Sequence, residues 1–186
     1  AFLIGGVARV FAVQHCTFFI NSLCHTIGRQ PYSTKCSARD SAVMAFLTFG
    51  EGYHNFHHEF QHDYRNGVKA FSFDPTKWTI WLLSKVGLAS DLRRVPEEKI
   101  LLAEMIETRK QAEAKLSAPI TAWESAGIQA REMLDQMTAR VSSSYHELEQ
   151  ALAQQVEISR KRLRELRRET HELASFLARL NRMVPA

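Results

Sequence analysis

The sequence has little that would cross-link or punctuate it: three cysteines and five prolines in 186 residues, and after Glu97 a single glycine, Gly127. Cys16, Cys24 and Cys36 form no CxxC pair and their number is odd, so neither a disulfide framework nor a zinc knuckle is suggested. They read as reduced thiols. HEXXH, P-loop, GxGxxG and GxSxG patterns are all missing, which removes support for zinc-protease, nucleotide-binding and serine-hydrolase readings. The chain opens on Ala1 rather than Met and shows no basic n-region or small-residue cleavage site ahead of its first apolar run, so it reads as a piece of something longer.

What is present divides into two unlike halves. Residues 1–96 carry ten Lys/Arg against six Asp/Glu, while residues 97–186 carry fourteen of each sign, so the net charge of +4 belongs to the first half. Among residues 1–27 only Arg9, Gln14, His15, Asn21 and His25 are strongly polar. Twenty helical residues cover roughly 30 Å, the thickness of a bilayer's hydrocarbon core, so this segment predicts a membrane helix. Arg9 and the Gln14-His15 pair must then face protein or water.

"GRQPYSTK" at 28–35 predicts a loop, and Asp40 marks a helix start over "SAVMAFLTF" that carries the chain into a histidine-rich stretch. Asp74 and Pro75 predict the N-cap and first position of another helix, which ends near Gly87. Its Trp78 and Trp81, with two lysines, suit a membrane interface or a surface helix docked on a core. From Glu97 the spacing predicts one helix to about Ser117 and a second from about Thr121 to Met183. In that second helix Leu163, Leu166, Thr170, Leu173, Leu177 and Leu180 follow one heptad register and Leu134, Met137, Val141 and Leu148 another, joined by a stutter near Leu152 and Val156. The run "RKRLRELRR" at 160–168 suits anionic lipid or nucleic acid, but the interleaved Glu157, Glu165, Glu169 and Glu172 favour a solvated coiled-coil face.

The chemistry concentrates in "GEGYHNFHH" at 50–58. On a helix His54, His57 and His58 fall within an arc of about 100°, so one face presents three imidazoles. That pattern fits either a metal site, for iron, zinc, copper or nickel, or a polar cluster that caps a helix and pairs with Glu59 and Asp63. Asn21 and His25, four apart, share a face of the earlier helix with Thr17 and Phe18.

Three blocks in order, "NSLCHTIGRQPY" (21–32), "GEGYHNFHHEFQHDYRNG" (50–67) and "DPTKW" (74–78), resemble the C-terminal part of membrane acyl-CoA desaturases of the Δ9, stearoyl-CoA type. The resemblance runs from about Phe11 to Pro96. It implies an all-α, multi-pass membrane helical bundle with its active site facing the cytoplasm, of which residues 1–96 are the C-terminal part, followed by a helical, coiled-coil extension at 97–186. It further implies an oxidoreductase that uses O2 to insert a cis double bond into a fatty acyl-CoA, with a di-iron centre as cofactor.

By that resemblance His25, His54, His57 and His58 are iron ligands, Asn21 reaches iron through a water, and Thr17 and Phe18 line the acyl channel. Glu51 and Asp63 are candidates to receive an imidazole N–H. The family's two upstream histidine boxes have no counterpart here, so this chain supplies only part of the ligand set and is expected to be inactive alone. No HPGG haem motif follows, so electrons are expected from a separate donor such as cytochrome b5 or ferredoxin. The expected partners are fatty acyl-CoA, O2, that donor and membrane lipid, with self-association through the tail and no nucleic acid. The alternatives are a related membrane di-iron hydroxylase and a membrane-anchored coiled-coil interaction protein.

Overall fold

The computed structural model describes residues 2–123 and 126–183 and divides into two compact units, Ala1–Val95 and Pro96–Ala186. Among the described residues all regular structure is helical. Strand-type pairing is confined to two isolated bridges, Arg29 with Asp40 and Asp40 with Tyr53.

In the first unit a π-helical stretch, Leu3–Ala8, runs into helix α1, Arg9–Asn21, and a 3₁₀ turn, Leu23–His25. Together Leu3–His25 is long and apolar enough to cross a membrane, and no residue of Leu3–Asn21 is buried in the protein. Polar side chains here fold back on the helix: His15 Nδ1 donates to Phe11 O at 2.8 Å, Thr17 Oγ1 to Val13 O at 3.1 Å, and Ser22 Oγ to Phe18 O at 2.7 Å. Each polar group finds a carbonyl four residues back, which lowers its cost in an apolar surrounding.

The α-helix does not continue to His25, as the shared face of Asn21 and His25 requires. Ser22 ends it with ψ −68° at φ −115°, and the next turn is 3₁₀, so the 100° projection fails across this break.

The loop after His25 is fixed by two side chains from further along. Helix α2, Ala42–Leu47, is capped by Ser41, whose side chain accepts from Met44 N, not by Asp40. Asp40 reaches instead to helix α3, His54–Glu59, where its Oδ1 accepts from Asn55 N at 2.7 Å and Phe56 N at 3.1 Å. A carboxylate at a helix N-terminus satisfies orphan N–H groups and complements the dipole. Burial nevertheless pushes the Asp40 pKa up to about 6, against those two backbone donors.

Asn55, fully buried, uses both ends of its amide: Oδ1 accepts from Tyr32 N and Ser33 N at 3.0 and 3.3 Å, and Nδ2 donates to Ser33 O and Ala38 O at 2.7 and 3.0 Å. The 32–38 loop is thus stitched to α3. Tyr32, Phe56 and Phe60 pack beside it, with ring centroids 5.0–5.8 Å apart. Between α2 and α3, Gly52 lies so close to the backbone of Met44 and Ala45 that any Cβ would collide with it.

Helix α4, Pro75–Lys85, starts as its sequence predicts: Asp74 accepts from Lys77 N at 2.9 Å and Pro75 takes the first position. Asp74 also accepts from Asn66 N and Gly67 N, while the buried Lys77 donates to Gly67 O and Lys69 O, so cap and lysine together clasp the 66–72 loop. Trp78 and Trp81 stand about half exposed.

The second unit is a bundle of three helices, α5 (Glu97–Leu116), α6 (Ile128–Ala153) and α7 (Arg160–Leu180), each packed on the other two. The heptad positions form its core: Leu134, Val141 and Leu148 from α6, Leu163, Leu166, Leu173, Leu177 and Leu180 from α7, against Leu101, Met105 and Ala112 of α5, with Trp123 from the connecting turn. Thr170 is buried with them and bonds back to Leu166 O.

The single helix expected from Thr121 to Met183 is broken. Gln155 turns into the left-handed region at φ 55° and Ser159 caps α7 by accepting from Arg162 N. The place is that of the stutter, and the reason is burial: reversing the chain there lets the leucine stripes of α6 and α7 cover each other. Glu124 and Ser125, inside that expected helix, lie outside the described residues.

Candidate metal centre

Three imidazoles converge. His54 and His58 project from α3, and His25 arrives from the 3₁₀ turn after α1, held there because Asp40 and Asn55 tie the intervening loop to the start of α3. His54 Nε2 lies 3.2 Å from His25 Nε2 and 3.1 Å from His58 Nε2. The rings are nearly perpendicular in pairs, with interplanar angles of 76–86° and centroids 4.5–5.7 Å apart. His54 is buried, His25 half-buried and His58 exposed, so the cluster has one open side.

A neutral imidazole carries one N–H and one lone pair. With two other Nε2 atoms against His54 Nε2 and its Nδ1 buried without a hydrogen-bond partner, neither tautomer satisfies every group. A cation among the three nitrogens would accept all three lone pairs. Ligand nitrogens about 2.0–2.1 Å from one ion lie roughly 2.9–3.4 Å from each other, and both distances from His54 Nε2 fall in that range, with the ligand atoms of all three residues within 4.8 Å of one another. The residues therefore fit a metal ion of the kind that takes nitrogen donors, iron and zinc among them.

Electrostatics point the same way. Burial, with the neighbouring His58, His25 and His57, lowers the His54 pKa to about 4, and burial with His57 and His25 lowers that of His58. Both rings are neutral at pH 7, the state that ligates. His25 Nδ1 meets Ser37 Oγ at 2.9 Å, a hydrogen bond that orients the ring and frees Nε2. Ser37 escaped the sequence reading because it lies in a loop twelve residues from its partner.

The other candidate residues sit apart. His57 is stacked on His54 at 6.0 Å between centroids, with its ring outside the converging three. Asn21, exposed, donates to Thr17 O at 3.5 Å. Thr17 and Phe18 are exposed on α1. Glu51 accepts from Asn66 Nδ2 at 2.9 Å. Asp63 takes Arg65 in two bonds of 2.9 and 2.7 Å and accepts from Val95 N at 2.9 Å, so its lone pairs serve the loop after α3 and not an imidazole.

No protein-family model matches the chain. Individual proteins do. Over 110 residues, 59% of the chain, it is 49% identical to acyl-CoA desaturase 1 of Saccharomyces cerevisiae. Over 95 residues, 51% of the chain, it is 47% identical to a probable acyl-CoA desaturase of Schizosaccharomyces pombe. Stearoyl-CoA desaturase 5 of Bos taurus is 32% identical over 110 residues. The chain spans 22%, 20% and 31% of the length of these three relatives. Identity at this level over about half of the chain makes the matched part similar to the acyl-CoA desaturases and supports that family for it.

Proposed function

We propose that residues 1–96 form part of the desaturase domain of an O2-dependent fatty acyl-CoA desaturase, which introduces a cis double bond at the Δ9 position. The observation that carries this reading is the gathering of His25, His54 and His58, whose ligand nitrogens lie within 4.8 Å of one another and within 3.2 Å of His54 Nε2. His57, on the same short helix but outside that trio, serves the second iron of a di-iron centre whose remaining ligands come from elsewhere in the intact protein. Such a centre, when bound, supplies the O2 chemistry needed to remove two hydrogens from an unactivated acyl chain.

The chain's own residues bind and orient. Ser37 fixes the His25 ring, Asn21 orients a water beside the metal, and Thr17 and Phe18 shape the acyl channel. Glu51 and Asp63 act at one remove, by holding the loop that follows α3. In the membrane this part belongs to a multi-pass bundle with the centre on the cytoplasmic side, and electrons come from a separate carrier such as cytochrome b5 or ferredoxin. The helical unit at 97–186 is an extension that mediates self-association.

The test is expression of the full-length gene in cells that lack Δ9 desaturase activity, followed by fatty acid analysis. Monounsaturated chains are expected, and they disappear with His54→Ala or His58→Ala. Hydroxylated chains without new unsaturation would identify a hydroxylase instead. Unsaturation that survives both substitutions would leave only a membrane-anchored helical interaction protein.

A further inference from the structure

Helix α7 segregates its charges. At about 100° per residue, Arg160, Lys161, Arg164, Arg167, Arg168 and Arg179 share an arc of about 120°, and all six are exposed. The remaining residues on that arc are His171, Ser175 and Ala178, with no acid. The glutamates that interrupt the basic run in sequence lie beyond its edge on the helix. Glu165 pairs with Arg162 at 3.2 Å, Glu169 accepts from Ser144 Oγ at 2.6 Å, and Glu172 stands 3.7 Å from Arg168.

Little of the basic face is neutralised. Arg167 reaches Glu97 at 3.3 Å and Arg168 reaches Glu172 at 3.7 Å, whereas Arg160, Lys161, Arg164 and Arg179 have no ion pair among the described residues. A shallow depression of about 240 Å³ opens among Lys161, Arg164, Glu165 and Arg168. The whole unit has as many acidic as basic residues, so this stripe is a separation of charge within a neutral body.

We infer that this face docks on the surface of an anionic phospholipid bilayer by electrostatic attraction. The stripe from Arg160 to Arg179 runs roughly 28 Å along one exposed side of a helix, a surface that a plane of headgroups can meet. Its one apolar member is Ala178, so it rests on headgroups and does not insert. Its one ring is His171, and no Phe, Tyr or Trp stands on the arc to make the row of stacking platforms that surfaces binding single-stranded nucleic acid use. The same chain carries Leu3–His25, long and apolar enough to cross a membrane.

The full chain, reconstituted into phosphatidylcholine nanodiscs so that its apolar helix is already accommodated, is mixed with vesicles of phosphatidylcholine alone or with a third phosphatidylserine, and co-flotation is measured. Binding to the anionic vesicles is expected, with none to the neutral ones, and loss in 0.5 M salt, where the Debye length falls to about 4 Å. Replacing Arg160, Lys161, Arg164 and Arg168 by Gln should lower partitioning on the order of several hundredfold, about fivefold for each cation. The four glutamate substitutions should lower it at least as far while the helix persists by circular dichroism, since negative charge is favoured at Arg160 and Lys161 in the first turn of α7 and glutamate is a good helix former at Arg164 and Arg168. Equal binding to both vesicle types, binding that survives the glutamine variant, or preference for an oligonucleotide over the anionic vesicles would each overturn the inference.

Discussion

His25 Nε2 and His54 Nε2 stand 3.2 Å apart although 29 residues separate them in sequence. With His58 they predict one first-row divalent ion bound per chain. Competitive titration against a chromophoric chelator should show affinity falling at least about 100-fold in His54→Ala and about 10–100-fold in Ser37→Ala, which touches no ion itself. His57→Ala, whose ring lies outside the converging three, should leave that first ion's affinity within about threefold. Equal loss in all three variants would mean unfolding of α3, not loss of a ligand.

Asn55 makes four hydrogen bonds from a fully buried amide. Asn55→Ala removes the acceptor of Tyr32 N and Ser33 N and the donor to Ser33 O and Ala38 O; Ser33 and Ala38 are buried, and each buried polar group left unpaired there costs about 1–3 kcal/mol. Hydrogen exchange should then accelerate throughout residues 28–60 and leave residues 97–183 as they were. The second unit serves as the internal control.

Acid should weaken the first unit through Asp63. Burial alone would raise its pKa, but the Arg65 guanidinium and the amides of Val95 and Arg65 outweigh it, so the folded value lies below the ordinary carboxylate value. A depressed folded pKa gives stability that is complete above the unfolded value near 4 and is lost as pH falls through the folded value. Unfolding midpoints followed from pH 7 to pH 2 should drop in that acid range, and Asp63→Asn should flatten the drop. Arg65→Ala, which strands a fully buried carboxylate, should cost about 3–5 kcal/mol at pH 7.

Gln155 distinguishes a reversed chain from a continuous helix by the sign of one measurement. Its φ of 55° costs a non-glycine residue about 1 kcal/mol, which Gln155→Gly relieves, so the bundle should gain up to that amount in urea or thermal unfolding. In an uninterrupted helix the same substitution would lose about 1 kcal/mol.

Much of this was legible in the sequence where it is periodic. The spacing marks the leucines of α6 and α7 as heptad positions that bury against a neighbouring helix, because burial on a helix repeats every three to four residues; that the neighbours are helices of the same chain is given by the structure. Asp74 and Pro75 were legible for a similar reason: a cap and its helix are neighbours. The break at Gln154–Ser159 was visible only as a stutter, since nothing local distinguishes a register shift from a turn when the deciding quantity is burial between two stripes.

At the candidate site the histidines were legible and their supports were not. Asp40 reads as the cap of the helix that follows it, yet its carboxylate crosses to Asn55 and Phe56, fifteen and sixteen residues on. Ser37 carries no motif at all. Residues that position a ligand from a distant loop leave no period in the sequence, and the end of α1 at Ser22 depended on hydrogen bonds that no projection of a regular helix contains.

The four bonds of Asn55 bear finally on how fast an ion could enter. Because the 32–38 loop and α3 are already fastened to each other, the loss of backbone freedom that brings His25 beside His54 is incurred when the chain folds. A small zinc finger, by contrast, orders its backbone only as the metal arrives. Uptake here needs side-chain adjustment on the exposed His58 side alone, which places the process on the timescale of rotamer motion and ion dehydration, with no refolding step to wait for.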